Sequence, residues 1–178
     1  HPNANLGGSG GFARGLVEAR AAGASHALFM DDDASVHMEA VARSYRFLAH
    51  AEDPATAIAG AMINAAHRWA VWETGARFHT RCWPLHMGTD LRDPEQVYAM
   101  EFDTVPPAPD DFYGGWWFFA FPLEAAGRLP FPFFVRGDDV SFSLANPFAP
   151  VTLPGVASVQ DGFTGKESPT TWYLDLRS

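Results

Sequence analysis

The chain has 178 residues and a formal net charge of -9, with 12 Lys and Arg against 21 Asp and Glu. That balance excludes a general binder of nucleic-acid backbone, which needs a basic face, but it leaves room for a phosphate-bearing substrate held through a divalent cation. At 47% hydrophobic residues, with 15 Phe and 6 Trp, the composition is globular, and the length suffices for one domain with its own core.

The chain opens on His1 rather than Met and enters a Gly-rich segment with no strand before it. It reads as a piece of a longer natural protein, truncated, processed or cloned as a fragment. Residues 3–11, Asn-Ala-Asn-Leu-Gly-Gly-Ser-Gly-Gly, read as a loop. Residues 12–22 read as a helix, with Phe12, Leu16 and Ala19 on one face and Gly23 as its stop. The short apolar run 26–30 reads as a buried strand that ends in Asp31-Asp32-Asp33. A second helix is expected over 38–49, from the spacing of Met38, Val41, Tyr45 and Leu48.

Residues 57–63 read as another buried strand, and 68–78 as an exposed strand or hairpin. Cys82, the single cysteine, excludes an internal disulfide and reads as an inert buried thiol. Residues 84–111, rich in Pro, Asp and Gly, read as a long surface excursion of the kind that is often functional. An aromatic strand or turn is expected over 114–121, a short helix over 123–129, and a second acidic element, Arg136-Gly137-Asp138-Asp139, opening a helix that ends near Ala145. Residues 151–159 read as a strand broken by a Pro, and Trp172 and Tyr173 as part of a final helix. No apolar run approaches the roughly 20 residues of a membrane helix, and no secretory signal opens the chain. Alternating strands and helices point to a layered α/β fold in one domain spanning 1–178.

Four constellations carry chemistry. Adjacent carboxylates at a strand end repel one another, and a divalent cation relieves that repulsion. On an extended chain Asp31 and Asp33 share a side and can share a hard cation that keeps open positions for diphosphate oxygens. The plain alternative is a solvated acidic loop that caps the next helix through Asp33 or Ser35. The glycines of 7–11, Gly10 and Gly11 among them, let backbone N–H groups approach an anion at a helix start, and Arg14 in the first turn extends that reach. Gly8-x-Gly10-x-x-Ala13 with Asp31 beyond it also fits a relaxed dinucleotide fingerprint, although that site needs one acid rather than three. In the pair Asp138-Asp139, one acid can act as a base whose pKa its neighbour raises; as a plain helix cap it has no such role. Trp116 and Trp117 cannot both face one side of a strand, so a sugar-stacking role for one competes with core packing for the other.

In this order the segments Asn-x-Asn-x-Gly-Gly-Ser-Gly-Gly-Phe-x-Arg-Gly, Phe-Met-Asp-Asp-Asp, Trp-Trp-Phe and Phe-Phe-Val-Arg-Gly-Asp-Asp resemble GT-A glycosyltransferases of family 2, in the galactofuranosyltransferase-like branch. The resemblance covers nearly the whole chain. It implies a GT-A-like, Rossmann-related mixed sheet flanked by helices, lacking its N-terminal strand-helix-strand units. It implies Mn²⁺ or Mg²⁺ on Asp31 and Asp33 at the diphosphate of a UDP-sugar donor; Asp32 and, from the glycine-rich helix start, Gly10, Gly11 and Arg14 are the expected donor contacts. It implies Asp139 as catalytic base supported by Asp138, and Trp116 and Trp117 at the site of a carbohydrate or glycolipid acceptor. The reaction implied is an inverting transfer, with no nucleic-acid partner.

The expected location is cytoplasmic, with peripheral attachment to the inner face of the cytoplasmic membrane through segments outside this chain as an option. Where the family carries a metal-binding His in a His-x-x-Phe pattern, this chain has Gln160 ahead of Phe163, with Asp161 next door as a substitute ligand. That departure motivates a second expectation, a non-catalytic carbohydrate- or nucleotide-binding relic of the same fold.

Overall fold

Apolar side chains that alternate along short strands need cover on both faces of a sheet, and here the helices supply it. The computed structural model describes residues 4–134, 136–162 and 168–175, so His1, Val135 and Phe163 lie outside it. Among the described residues the chain forms an α/β arrangement of five helices and eleven strands. Helix α1 (Gly7–Ala21) leads through β1 (His26–Phe29) and β2 (Ser35–Val36) to α2 (Met38–Ala49). Then come β3 (Thr56–Ala59), β4 (Ala61–Asn64), β5 (Val71–Glu73), β6 (Ala76–Phe78), β7 (Cys82–Pro84) and α3 (Pro94–Asp103). The chain continues through β8 (Phe112–Tyr113), β9 (Phe119–Pro122), α4 (Asp138–Ala145), β10 (Ala149–Val151), β11 (Ala157–Gln160) and α5 (Pro169–Asp175).

One sheet runs β1-β9-β3-β10 and a second runs β2-β11-β4-β5; a small third sheet is β7-β6-β8. The first two are mixed: β3 pairs with β10 and β4 with β11 in parallel, while their other pairings are antiparallel. β3 and β4 are one run of chain interrupted at Gly60. The Gly60 N–H donates to the Phe118 carbonyl at 2.9 Å. A Cβ at residue 60 would stand 2.7 Å from the Phe118 Cβ, so the joint accepts only glycine without a shift.

Strand alternation divides the core. Ala57, Ala59, Phe119 and Phe121 pack on one side with Leu16 of α1, Phe29 of β1 and Phe142 of α4. Ile58 and Ala120 pack on the other with Ala40 and Leu48 of α2. Phe118, Phe119, Phe121 and Phe142 are fully buried, each contributing roughly 1.5–3 kcal/mol before conformational entropy is counted.

Several elements differ from expectation for identifiable reasons. Helix α1 starts at Gly7, so the expected glycine loop forms its first turns. Residues 84–111 contain α3, with the Asp93 side chain accepting the Glu95 N–H at 3.0 Å and Pro94 at the first helical turn. Residues 123–129 form turns rather than a helix. There the Arg128 N–H donates to Asn146 Oδ1 at 2.7 Å, a tertiary bond that local propensity does not register. The hairpin expected to be exposed over 68–78 buries Val71, Glu73, Thr74 and Ala76. Cys82 is exposed on β7 rather than buried. The single strand expected over 151–159 is two, β10 and β11, parted by Leu153-Pro154-Gly155. No helix among the described residues is long and apolar enough to cross a membrane.

Candidate functional site

Aromatic packing brings the two acidic segments together. The Phe29 ring lies 5.4 Å from that of Phe142, and Trp116 packs against them at 5.1 and 5.9 Å. Two residues beyond Phe29 stands Asp31, and three residues before Phe142 stands Asp139. The Asp139 carboxyl is pushed up from 3.8 to about 7. Desolvation is the main cause. The Val140 N–H, which donates to Oδ1 at 2.8 Å, pulls the other way, while the charges of Asp138 and Asp31 push it up. Asp31 and Asp139 are therefore within electrostatic reach of each other.

The acidic triplet is a tight turn, not an extended segment. The Ala34 N–H donates back to the Asp31 carbonyl at 3.2 Å. Strand alternation therefore does not set the relation of Asp31 to Asp33; Asp31 is half-buried, and Asp32 and Asp33 are exposed. Neither Asp33 nor Ser35 caps α2, whose N-cap is His37. β2 follows the turn and pairs with β11, placing Val159 opposite Ser35. Gln160, the next residue, ends β11 and is paired with Asn64 of β4. Gln160 is 2% exposed, and its Oε1 has no hydrogen-bond partner. Among the described residues no three His, Cys, Asp or Glu side chains form a group able to hold a metal. A cation at this place would draw on the Gln160 carbonyl oxygen as well as carboxylates.

The glycine segment faces the second acidic pair. Ser9 Oγ donates to the Phe133 carbonyl at 2.7 Å and lies 3.3 Å from Asp138 Oδ2. A Cβ on Gly7 would stand 2.2 Å from the Phe134 carbonyl oxygen, and one on Gly8 would stand 3.0 Å from Asp138 Oδ2. The N-terminus of α1 thus meets one of the protein's own carboxylates, which makes it a poor seat for a dinucleotide's pyrophosphate. Burial raises the Asp138 pKa, and the Ser9 hydrogen bond opposes this. Gly10 packs against Leu6, while Gly11 is exposed with open space around it. Arg14 is in the body of α1 rather than its first turn, and it pairs with Glu18 at 2.5 Å. Trp116 and Trp117 diverge to opposite sides of the first sheet and both are buried, at 4% and 7% exposure, so neither indole presents an open face.

Glu73 is the residue that sequence reading passed over. It is 3% exposed on β5, its Oε1 has no hydrogen-bond partner, and its carboxyl is raised from 4.5 to about 8. Burial is the main cause and the charge of Asp139 adds to it. Tyr113, hydrogen-bonded to Cys82, is likewise raised by burial, by that bond and by Asp139. The available signal was an acid alternating with Val71 in a run of buried residues. Two neighbouring carboxyls held above their usual range are the kind of pair that proton-transfer sites use.

The whole chain is similar to two galactofuranosyltransferases. It is 27% identical over 195 residues to Galactofuranosyltransferase GlfT2 of Mycolicibacterium smegmatis. It is 28% identical over 201 residues to Galactofuranosyltransferase GlfT2 of Mycobacterium tuberculosis. The chain spans about 30% of the length of these curated relatives. No family model matches it. The relation is distant and supports a glycosyltransferase-like chain at that coarse level.

Proposed function

We propose that the chain is the catalytic part of a metal-dependent, inverting glycosyltransferase of the GT-A kind. It would move a sugar, with galactofuranose the first candidate, from a UDP-sugar to a hydroxyl of a glycan or glycolipid acceptor. The observation that carries this reading is the packing of Phe29 against Phe142, which brings the turn of Asp31 and the start of α4 with Asp139 toward one another. The distant likeness to two galactofuranosyltransferases supports the substrate class.

In this reading Asp139 takes the proton of the acceptor hydroxyl as its oxygen bonds to the anomeric carbon. The bond from that carbon to the diphosphate oxygen breaks in the same displacement, inverting the centre. A carboxylate titrating near 7 suits a base working at neutral pH. Asp138, anchored by Ser9, positions the start of α4. The orphaned Gln160 oxygen and the charge crowding around Asp139 fit a hard cation, so Asp31, Asp33 and Gln160 would hold Mn²⁺ or Mg²⁺. Such an ion stabilises charge on a departing diphosphate. The exposed Gly11 and Asp32 are better placed for donor contacts than Arg14, which Glu18 engages.

Gln160 in place of a stronger imidazole ligand favours a second reading, a nucleotide- or carbohydrate-binding relic. The test uses the natural full-length protein, with Asp139→Asn beside it. Transferase function predicts Mn²⁺-dependent UDP binding by calorimetry in both. It also predicts a fall in kcat of about 10²–10⁴-fold in the variant. Unchanged turnover in Asp139→Asn would remove the assigned base, and UDP binding without any turnover would leave the relic.

A further inference from the structure

A cavity of about 810 Å³ lies away from the acidic centre, between the 103–110 segment on one side and α4 and β10 on the other. Neither Asp31 nor Asp139 lines it. Ser143, one helical turn after Asp139 on α4, does, so the cavity adjoins the proposed centre without sharing its acids. Its size is within the range of roughly 300–1,000 Å³ found for small-ligand sites.

The lining decides what fits. It contains no Lys or Arg, and it carries Asp53, Asp103 and Asp110. Phosphates, nucleotides and sulfated or uronic sugars are therefore repelled. Hydroxyl groups stand among apolar faces, including the half-buried Phe148 and the prolines of 106–109. Carboxylates and hydroxyls that accept and donate hydrogen bonds, set beside rings that cover C–H faces, match a neutral polyhydroxylated ligand.

The walls are already joined. His86 Nδ1 lies 2.5 Å from Thr74 Oγ1, and its Nε2 lies 3.6 Å from Asp103 Oδ2 at the end of α3. His86 holds φ at 59°, a left-handed conformation that a non-glycine residue keeps only when its surroundings fix it. Three prolines between 106 and 109 stiffen the segment that follows. A ligand thus meets a formed groove rather than one it must assemble.

We propose that this groove binds a neutral oligosaccharide chain, serving as a second saccharide site for the stretch of acceptor remote from the reacting hydroxyl. The binding stands by itself; its role in transfer rests on the transferase reading. Val105 lines the groove and is 76% exposed, so Val105→Trp fills the groove without entering the core. Asp110→Asn removes a rim charge at constant size.

The probes are linear neutral hexasaccharides of galactose, mannose and glucose, titrated into the natural full-length protein without metal or nucleotide. At least one should bind, and V105W should weaken it about tenfold or more with Tm unchanged, the scale of losing a buried contact patch. With UDP-sugar present, V105W and D110N should raise KM for a long acceptor, leaving its kcat and the KM of a disaccharide acceptor unaltered. No hexasaccharide binding, equal binding by V105W, or capture of a lysine-rich peptide in place of sugars overturns the proposal. Saccharide binding that V105W abolishes, with no turnover by any variant, sinks the transferase reading and leaves the groove standing. Normal turnover with an unchanged long-acceptor KM in V105W does the reverse.

Discussion

Glu73 and Asp139 are two carboxyls that the fold keeps protonated to unusually high pH, and this has a thermodynamic sign. Each binds its proton more tightly folded than unfolded. Their contribution to stability is therefore full below the unfolded values and is lost as pH rises through about 7 for Asp139 and about 8 for Glu73. Thermal unfolding followed from pH 4.5 to 8 should show Tm falling, and Glu73→Gln, neutral at every pH, should flatten the slope. A slope unchanged in that variant would mean that Glu73 ionises normally. At this scale the sequence was informative where acids end an apolar run, as at Asp31 and Asp139. It was silent on Glu73, because one acid among Val71, Trp72 and Thr74 looks like the solvated side of an exposed hairpin until the neighbouring strands are in place. Alternation also misled at Asp33, because the Asp31 carbonyl closes a turn that breaks the extended geometry.

Elements were read best where local signals sufficed. The bounds of α2 follow from its sequence, yet its buried face does not. Ala40, Ser44 and Leu48 are buried, while Met38 and Tyr45 are 74% and 69% exposed. Small residues allow α2 to approach the sheet closely, and Ser44 Oγ satisfies itself on the Ala40 carbonyl at 2.8 Å. The start of α1 was misjudged for the opposite reason: its glycines look like a loop until the backbone at Phe133 and Phe134 comes against them. Gly7 has φ of +73° and no room for a Cβ. Gly7→Ala should cost about 1–3 kcal/mol in denaturant unfolding, and it should loosen the α1–Asp138 contact. That loosening is measurable as faster amide exchange at Ser9 and Asp138. A fully stable Gly7→Ala protein would show that this junction tolerates displacement.

At the scale of the whole molecule, the α/β character was legible from alternating patterns, but the division into separate sheets was not. A run read as one strand over 57–63 contributes to both larger sheets through Gly60, because the constraint comes from Phe118, far away in sequence. Gly60→Ala should therefore destabilise by about 1–3 kcal/mol, as overpacking does, read by chemical denaturation. Stability equal to the parent would mean that the Phe118 ring can retreat. Asp31 stands in the turn after β1 of the first sheet, whereas Gln160 closes β11 of the second, and β3 and β4 are joined at residue 60. Strain introduced at residue 60 is therefore shared by both larger sheets at once, through the one residue that separates β3 from β4.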